Sequence, residues 1–236
     1  DHRFTPETTR FVGMGDSLTE AAVKSELGKG IPMPLKHGKN LYKLKFDLPD
    51  AKLWDLETPY LYQLHAAVLV NGTCTDRLAQ QFGMRSFTQD TESPQRKGMF
   101  YLNGRSIRLR GANTMGFEQQ DVLRGDLPQL IDDILLAKIC NMNFLRLTQR
   151  PVQDEVYEYC DKLGLMTQTD LPLFGVMRRF RVPEGIRQAE ELARMVRKHP
   201  CNVVVSYINE PFPNANNEPH RHLILSLIHI SEPTRL

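Results

Sequence analysis

The stretch RKHPCNVVVSYINEP, Arg197–Pro211, decides the fold. Its His199-Pro200 pair closes one element, because the residue before a proline is pushed out of the helical region. Asn202 to Ile208, built on Val203-Val204-Val205, reads as a strand. Asn209-Glu210 follow it directly, ahead of Pro211. A strand that delivers polar groups at its C-terminal end is the organisation of an α/β barrel, where the βα loops gather reactive side chains on one face.

The same step recurs toward the N-terminus. A helix from about Glu184 to Lys198 is opened by Pro183, and before it the strand Leu165 to Thr169 delivers Asp170. Pro151 opens another helix with Val152, Val156, Tyr159, Cys160 and Leu163 on its apolar face, and Gly164 is placed to end it in a left-handed conformation. The strand Asn143 to Leu147 carries Arg146 and runs into Thr148-Gln149-Arg150. Leu127, Leu130, Ile131, Ile134, Leu135 and Lys138 recur at helical spacing behind the N-cap Asp126. Phe100 to Arg110 is strand-like around an Asn103-Gly104 turn and leads into Gly111-Ala112-Asn113. Strands alternating with helices predict a parallel sheet, either half of a (β/α)8 barrel or part of a doubly wound fold. No G-x-G-x-x-G or P-loop follows any strand, which weakens the nucleotide-binding version.

The first part of the chain has a different period. Tyr42 to Leu48 alternates apolar and polar residues, and Leu61 to Val70 meets Thr73 to Gln81 across Asn71-Gly72, a hairpin signal. These features predict an antiparallel sandwich. A net charge of +2 gives no case for a nucleic-acid partner or an acidic membrane surface. No run approaches the roughly eighteen apolar residues of a membrane span. Cys74, Cys140, Cys160 and Cys201 form no C-x-x-C pair, so buried free thiols are expected and no metal or redox cofactor.

Four strands thus end in groups able to hydrogen-bond or carry charge: Asn113, Arg146, Asp170 and Asn209-Glu210. Glu210, straight after an apolar strand, is expected at the edge of low-dielectric surroundings that suit a carboxyl to proton donation. Arg146 could clamp a ligand or simply pair with Asp170, and Asp170 could bind substrate or cap its loop.

Five motifs in order resemble glycoside hydrolase family 2, the family of β-galactosidases, β-glucuronidases and β-mannosidases. They are LWDLETPYLYQL (Leu53–Leu64), FGMRSF (Phe82–Phe87), FYLNGRSIRLRGAN (Phe100–Asn113), NMNFLRLTQRPVQDEVYEYCDKLGL (Asn141–Leu165) and RKHPCNVVVSYINEP. The resemblance implies a partial immunoglobulin-like β-sandwich over residues 1–88, then the first half, strands one to four, of a (β/α)8 TIM barrel over 89–224. It implies a retaining exo-β-glycosidase acting on β-galactoside-type substrates by double displacement. Glu210 would be the general acid/base and Asn209 would contact the sugar 2-hydroxyl. Arg146 and Asp170 would lie on the floor of the site, with Asn113 beside them. The family's nucleophile comes from strand seven, which these motifs do not reach, so the chain as given is expected to be inactive. The alternative is a catalytically dead carbohydrate-binding or scaffold protein on the same fold. Thr114 and Gln149-Arg150 stand where many galactosidase-like relatives carry histidines, and Val205 where the family commonly has tryptophan. LSLIHISEPTR, Leu225–Arg235, resembles a translated sequencing-library adapter, so 225–236 is expected not to be native.

Overall fold

The computed structural model describes residues 11–12, 38, 41, 48–71, 73–175 and 178–211. The expected strand at 42–48, save its last residue, and the segment 225–236 lie outside them. In the β region, β1 (Phe11–Val12) runs parallel to β2 (Leu61–Val70), which pairs antiparallel with β3 (Thr73–Phe82). Asn71 turns the hairpin at φ 51°, a left-handed conformation that asparagine tolerates. A second antiparallel sheet follows, made of β4 (Phe87–Gln89), β5 (Phe100–Leu102) and β6 (Arg105–Ile107). Its β5–β6 turn has Asn103 and Gly104 both at positive φ, as a two-residue primed turn requires.

The barrel portion is a four-stranded parallel sheet in spatial order β11-β9-β8-β7. Its strands are β7 (Gly111–Thr114), β8 (Phe144–Leu147), β9 (Met166–Asp170) and β11 (Asn202–Ser206). Between them run α1 (Phe117–Arg124), α2 (Leu127–Ile139), α3 (Asp154–Leu163) and α4 (Val182–Val196). Asp126 accepts a hydrogen bond from the Gln129 N–H at 3.2 Å and caps α2. Leu130, Ile134, Val156, Leu163, Ala189, Leu192 and Val196 from the helices are buried with Leu145, Leu147 and Met166 from the strands. A Cβ on Gly111 would stand 1.7 Å from the Phe144 carbonyl oxygen, so the first strand needs glycine to lie this close to the second.

Several elements depart from the sequence expectation. The first barrel strand is Gly111–Thr114 itself, not the hairpin arm leading into it. The strand expected over 202–208 divides: β11 stops at Ser206, and Asn209–Pro211 forms β12, parallel to β10 (Phe174–Gly175). Tyr157, not Tyr159, is the buried tyrosine of α3. It can enter the core because its hydroxyl meets Thr169 Oγ1 at 2.9 Å and accepts from the Val152 N–H at 3.4 Å. All four cysteines are free, but only Cys160 and Cys201 are buried, and Cys140, which caps the C-terminus of α2, is exposed. Burial pushes the pKa of both inner thiols up.

The β region grips the barrel at the N-terminal ends of its strands. Trp54, fully buried, donates from Nε1 to the Asp161 carbonyl at 2.7 Å. Arg85 donates to the carbonyls of Pro200 at 2.9 Å and Asn202 at 2.6 Å. The Asp161 carboxylate takes the Cys201 N–H at 2.9 Å, His199 Nδ1 at 2.7 Å and Gln81 Nε2 at 3.3 Å. His199-Pro200 thus belongs to the end of the sheet opposite Glu210. Gly164, at φ 70°, closes α3 where a Cβ would meet the Leu56 carbonyl oxygen at 2.5 Å.

Candidate active site

The C-terminal ends of β8 and β9 and the start of β12 bring Arg146, Asp170 and Asn209 together. Arg146 Nη2 donates to Asp170 Oδ2 and to Asn209 Oδ1, each at 2.6 Å, and its Nε reaches Asp170 Oδ2 at 3.0 Å. Asp170 has no exposed surface. Its Oδ2 also accepts the Gln149 N–H at 3.1 Å, and its Oδ1 accepts from Gln168 Nε2 at 3.0 Å. Both oxygens are therefore engaged within the protein, and Asp170 anchors Arg146. Of the two alternatives left open for Arg146, the structure shows the pairing with Asp170, and the same guanidinium also holds Asn209.

That clamp fixes the orientation of the Asn209 amide. A guanidinium offers only donors, so the atom facing it is Oδ1, and Nδ2 is left with its two protons for another acceptor. The Asn209 backbone N–H donates to the Leu173 carbonyl at 2.9 Å, within the β10–β12 pairing. The next residue, Glu210, has φ 46° and an exposed side chain. The low-dielectric surroundings expected around it are absent among the described residues, because the chain leaves the barrel sheet at Ser206 before reaching it. Gln149, at φ 66°, is a second non-glycine residue in the left-handed region at a strand end. Such conformations cost of order 1–3 kcal/mol and persist where the surroundings impose them. Asn113 stands in register with Arg146 on the neighbouring strand. It is exposed in a groove lined also by Leu109, Gly111, Ala112, Phe144 and Arg146.

Sequence reasoning missed two contributors, the Gln168 side chain and the Gln149 backbone. Gln168 lies two residues before Asp170, on the same face of β9, and that spacing is the signal that could have found it. A backbone donor leaves no residue-type signal. Among the described residues, no group of His, Cys, Asp and Glu could hold a metal ion.

The sequence pattern of "Glycosyl hydrolases family 2" matches residues 12–85, and that of "Glycosyl hydrolases family 2, TIM barrel domain" matches 95–236. The chain belongs to glycoside hydrolase family 2. Among curated relatives, a putative β-glucuronidase of Formosa agariphila is 35% identical over 136 residues, covering 56% of this chain and 16% of its own length. A β-galactosidase of Erwinia tasmaniensis is 28% identical, covering 77% of the chain and 18% of itself. The β-glucuronidase of Mus musculus is also 28% identical, with 71% and 26% covered. This family 2 chain thus spans 16–26% of the length of these relatives. The crystal structure of an FMN-binding β-glucuronidase from Facaelibacterium prausnitzii L2-6 superposes with TM-score 0.65 at 22% identity, over 78% of this chain and 29% of that one. A Bifidobacterium dentium β-glucuronidase complexed with coumarin-3-O-glucuronide gives 0.61 at 23%, over 75% and 29%. The chain thus has a family 2 β region followed by part of a TIM barrel.

Proposed function

We propose that this protein is a retaining exo-β-glycosidase that hydrolyses O-glycosidic bonds of β-galactoside-type substrates by double displacement, with Glu210 as general acid/base. One observation carries the reading. Of the two strand-end carboxylates, Asp170 is buried and bound by Arg146, while Glu210 is exposed beside a fixed amide donor. Glu210 is the one free to give a proton to a leaving-group oxygen. Asn209 Nδ2 is the donor offered to a sugar hydroxyl, and Arg146 and Asn113 line the floor on which the sugar rests. In double displacement a second carboxylate roughly 5–5.5 Å away attacks the anomeric carbon, after which the acid/base activates water. That nucleophile is assigned to a strand beyond the four described, so the 236-residue chain alone is expected to show no turnover.

The test is Glu210→Ala in the full-length gene product, with aryl β-galactosides of graded leaving-group acidity. The glycosylation step should fall about 10²–10⁴-fold for poor leaving groups and stay near wild type for the best ones. Equal loss across the series would sink the acid role. A parallel series of aryl β-glucuronides decides the sugar, and binding without turnover in either series would favour a non-catalytic carbohydrate-binding protein.

A further inference from the structure

We infer that the groove beside α4 is a leaving-group subsite that receives an anionic sugar or aryl unit, carboxylated or sulfated. The inference rests on the reading of Glu210 above, and the groove shares Leu173 with the pairing that seats the preceding residue, Asn209. Its inner wall is Pro172 and Leu173, in the segment that leaves β9 just after Asp170. The Leu173 carbonyl accepts the Asn209 N–H at 2.9 Å, and Phe174 is the register partner of Asn209. One peptide unit therefore belongs both to the groove wall and to the pairing that seats Asn209-Glu210. The proton of a general acid goes to the leaving-group oxygen, so a trough that starts here lies on the side to which the departing unit extends.

The outer wall is cationic. Arg178 and Arg181 line it, together with Glu184, Gly185 and Gln188 from the first turns of α4. Glu184 could have neutralised them, but its carboxylate is taken by another side chain. Arg187 binds it through Nε at 2.8 Å and Nη2 at 2.6 Å, and Gln188 Nε2 adds a third bond at 2.8 Å. No ion pair or hydrogen bond takes up the guanidinium of Arg178 or Arg181 among the described residues. Arg181 also feels the charge of Glu184, but neither guanidinium is hydrogen-bonded to a carboxylate among the described residues. Both forks therefore suit a planar carboxylate or a sulfate, which they can bind bidentately. Phe174, 55% exposed, follows Leu173 of the groove wall and is the register partner of Asn209, and it offers an apolar face for a sugar or aryl ring. A ring on Phe174 with its anionic substituent directed toward Arg178 and Arg181 uses both chemistries at once.

The test measures binding directly, so it does not depend on turnover. Three hydrolysis-resistant ligands are titrated into the full-length protein by calorimetry: 4-carboxyphenyl, 4-sulfophenyl and 4-carbamoylphenyl 1-thio-β-glycosides, in both galactoside and glucuronide series. The carboxy and sulfo ligands should bind about tenfold tighter than the neutral amide at low salt, as two surface charge contacts warrant. The advantage should shrink as salt is raised. Arg178→Ala/Arg181→Ala should abolish it while leaving the carbamoyl ligand and the hydrolysis of neutral aryl glycosides unchanged. A preference for one anion over the other identifies which of the two the groove takes. Equal Kd values for all three ligands, no binding in either series, or equal losses for all three in the double variant would overturn the inference. Loss of turnover in Glu210→Ala, by contrast, bears only on the acid/base assignment.

Discussion

At 2.6 Å from both Asp170 Oδ2 and Asn209 Oδ1, Arg146 Nη2 commits its two protons to a carboxylate and a carboxamide at once. A lysine would keep the charge but lose the planar fork that also brings Nε to Asp170. Arg146→Lys in the full-length protein is expected to lower kcat/KM for aryl glycosides about 10–100-fold, because the freed Asn209 amide loses its fixed orientation. Tm should fall only modestly, since the buried Asp170 keeps a cation; unchanged kinetics with a large drop in Tm would make Arg146 a purely structural group. The sequence identified Arg146, Asp170 and Asn209 through their places at strand ends. It did not reveal which of them touch, because that depends on the reach of side chains across neighbouring strands. Nor did it reveal that Glu210 is exposed, because the bend after Ser206 has no residue-type signature.

Helix α1 illustrates the limit at the scale of an element. Its buried residues are Glu118, Gln119 and Asp121, whereas Phe117 and Leu123 are exposed, so no apolar stripe announces it. Helices α2, α3 and α4 were legible because their buried faces are mostly apolar and their ends carry usual signals: the caps Asp126 and Gly164, and Pro183 in the first turn of α4. The polar burial of α1 has a consequence for pH. Burial pushes the Glu118 carboxyl above its ordinary range, with Asp133 and Asp121 adding to the effect, and its Oε2 has no hydrogen-bond partner among the described residues. The folded state therefore holds this proton more tightly than the unfolded chain does. The contribution to stability is full below the ordinary glutamate value of 4.5 and is lost as pH rises through the raised folded value. Glu118→Gln should accordingly raise Tm at pH 7 and match wild type near pH 4, as thermal melts across that range would show. A constant offset at every pH would mean that the carboxyl does not titrate in this window.

For the whole molecule, the chemistry and the attachment of the β region occupy opposite ends of one parallel sheet. Asn209 and Glu210 follow the C-terminal end of β11, while Pro200 and Asn202, the acceptors of Arg85, stand at its start. Arg85→Met is expected to cost about 1.5–3 kcal/mol, the range for hydrogen bonds that involve a charged group, and to leave KM for aryl glycosides unchanged. Denaturant melts and steady-state kinetics on the full-length protein measure the two effects separately, and a raised KM would show that the two ends communicate. Both layers of this architecture were readable from periodicity, about two residues against about 3.6. Their mutual docking was not, because it rests on backbone carbonyls, which every residue type supplies.

The Arg85 contacts also have a consequence during synthesis. Pro200 and Asn202 lie 115 and 117 residues downstream of Arg85, and Asp161 lies 107 beyond Trp54. At about 5–20 residues per second, a ribosome needs roughly 6–23 s to deliver those acceptors after Arg85 has emerged. The indole of Trp54 has no partner from the barrel until Asp161 is made, and the guanidinium of Arg85 has none until Pro200 and Asn202 follow. The nascent β region thus presents a sticky, half-finished surface to the cell, and chaperones that recognise exposed aromatics have their opportunity before the fourth barrel strand is made.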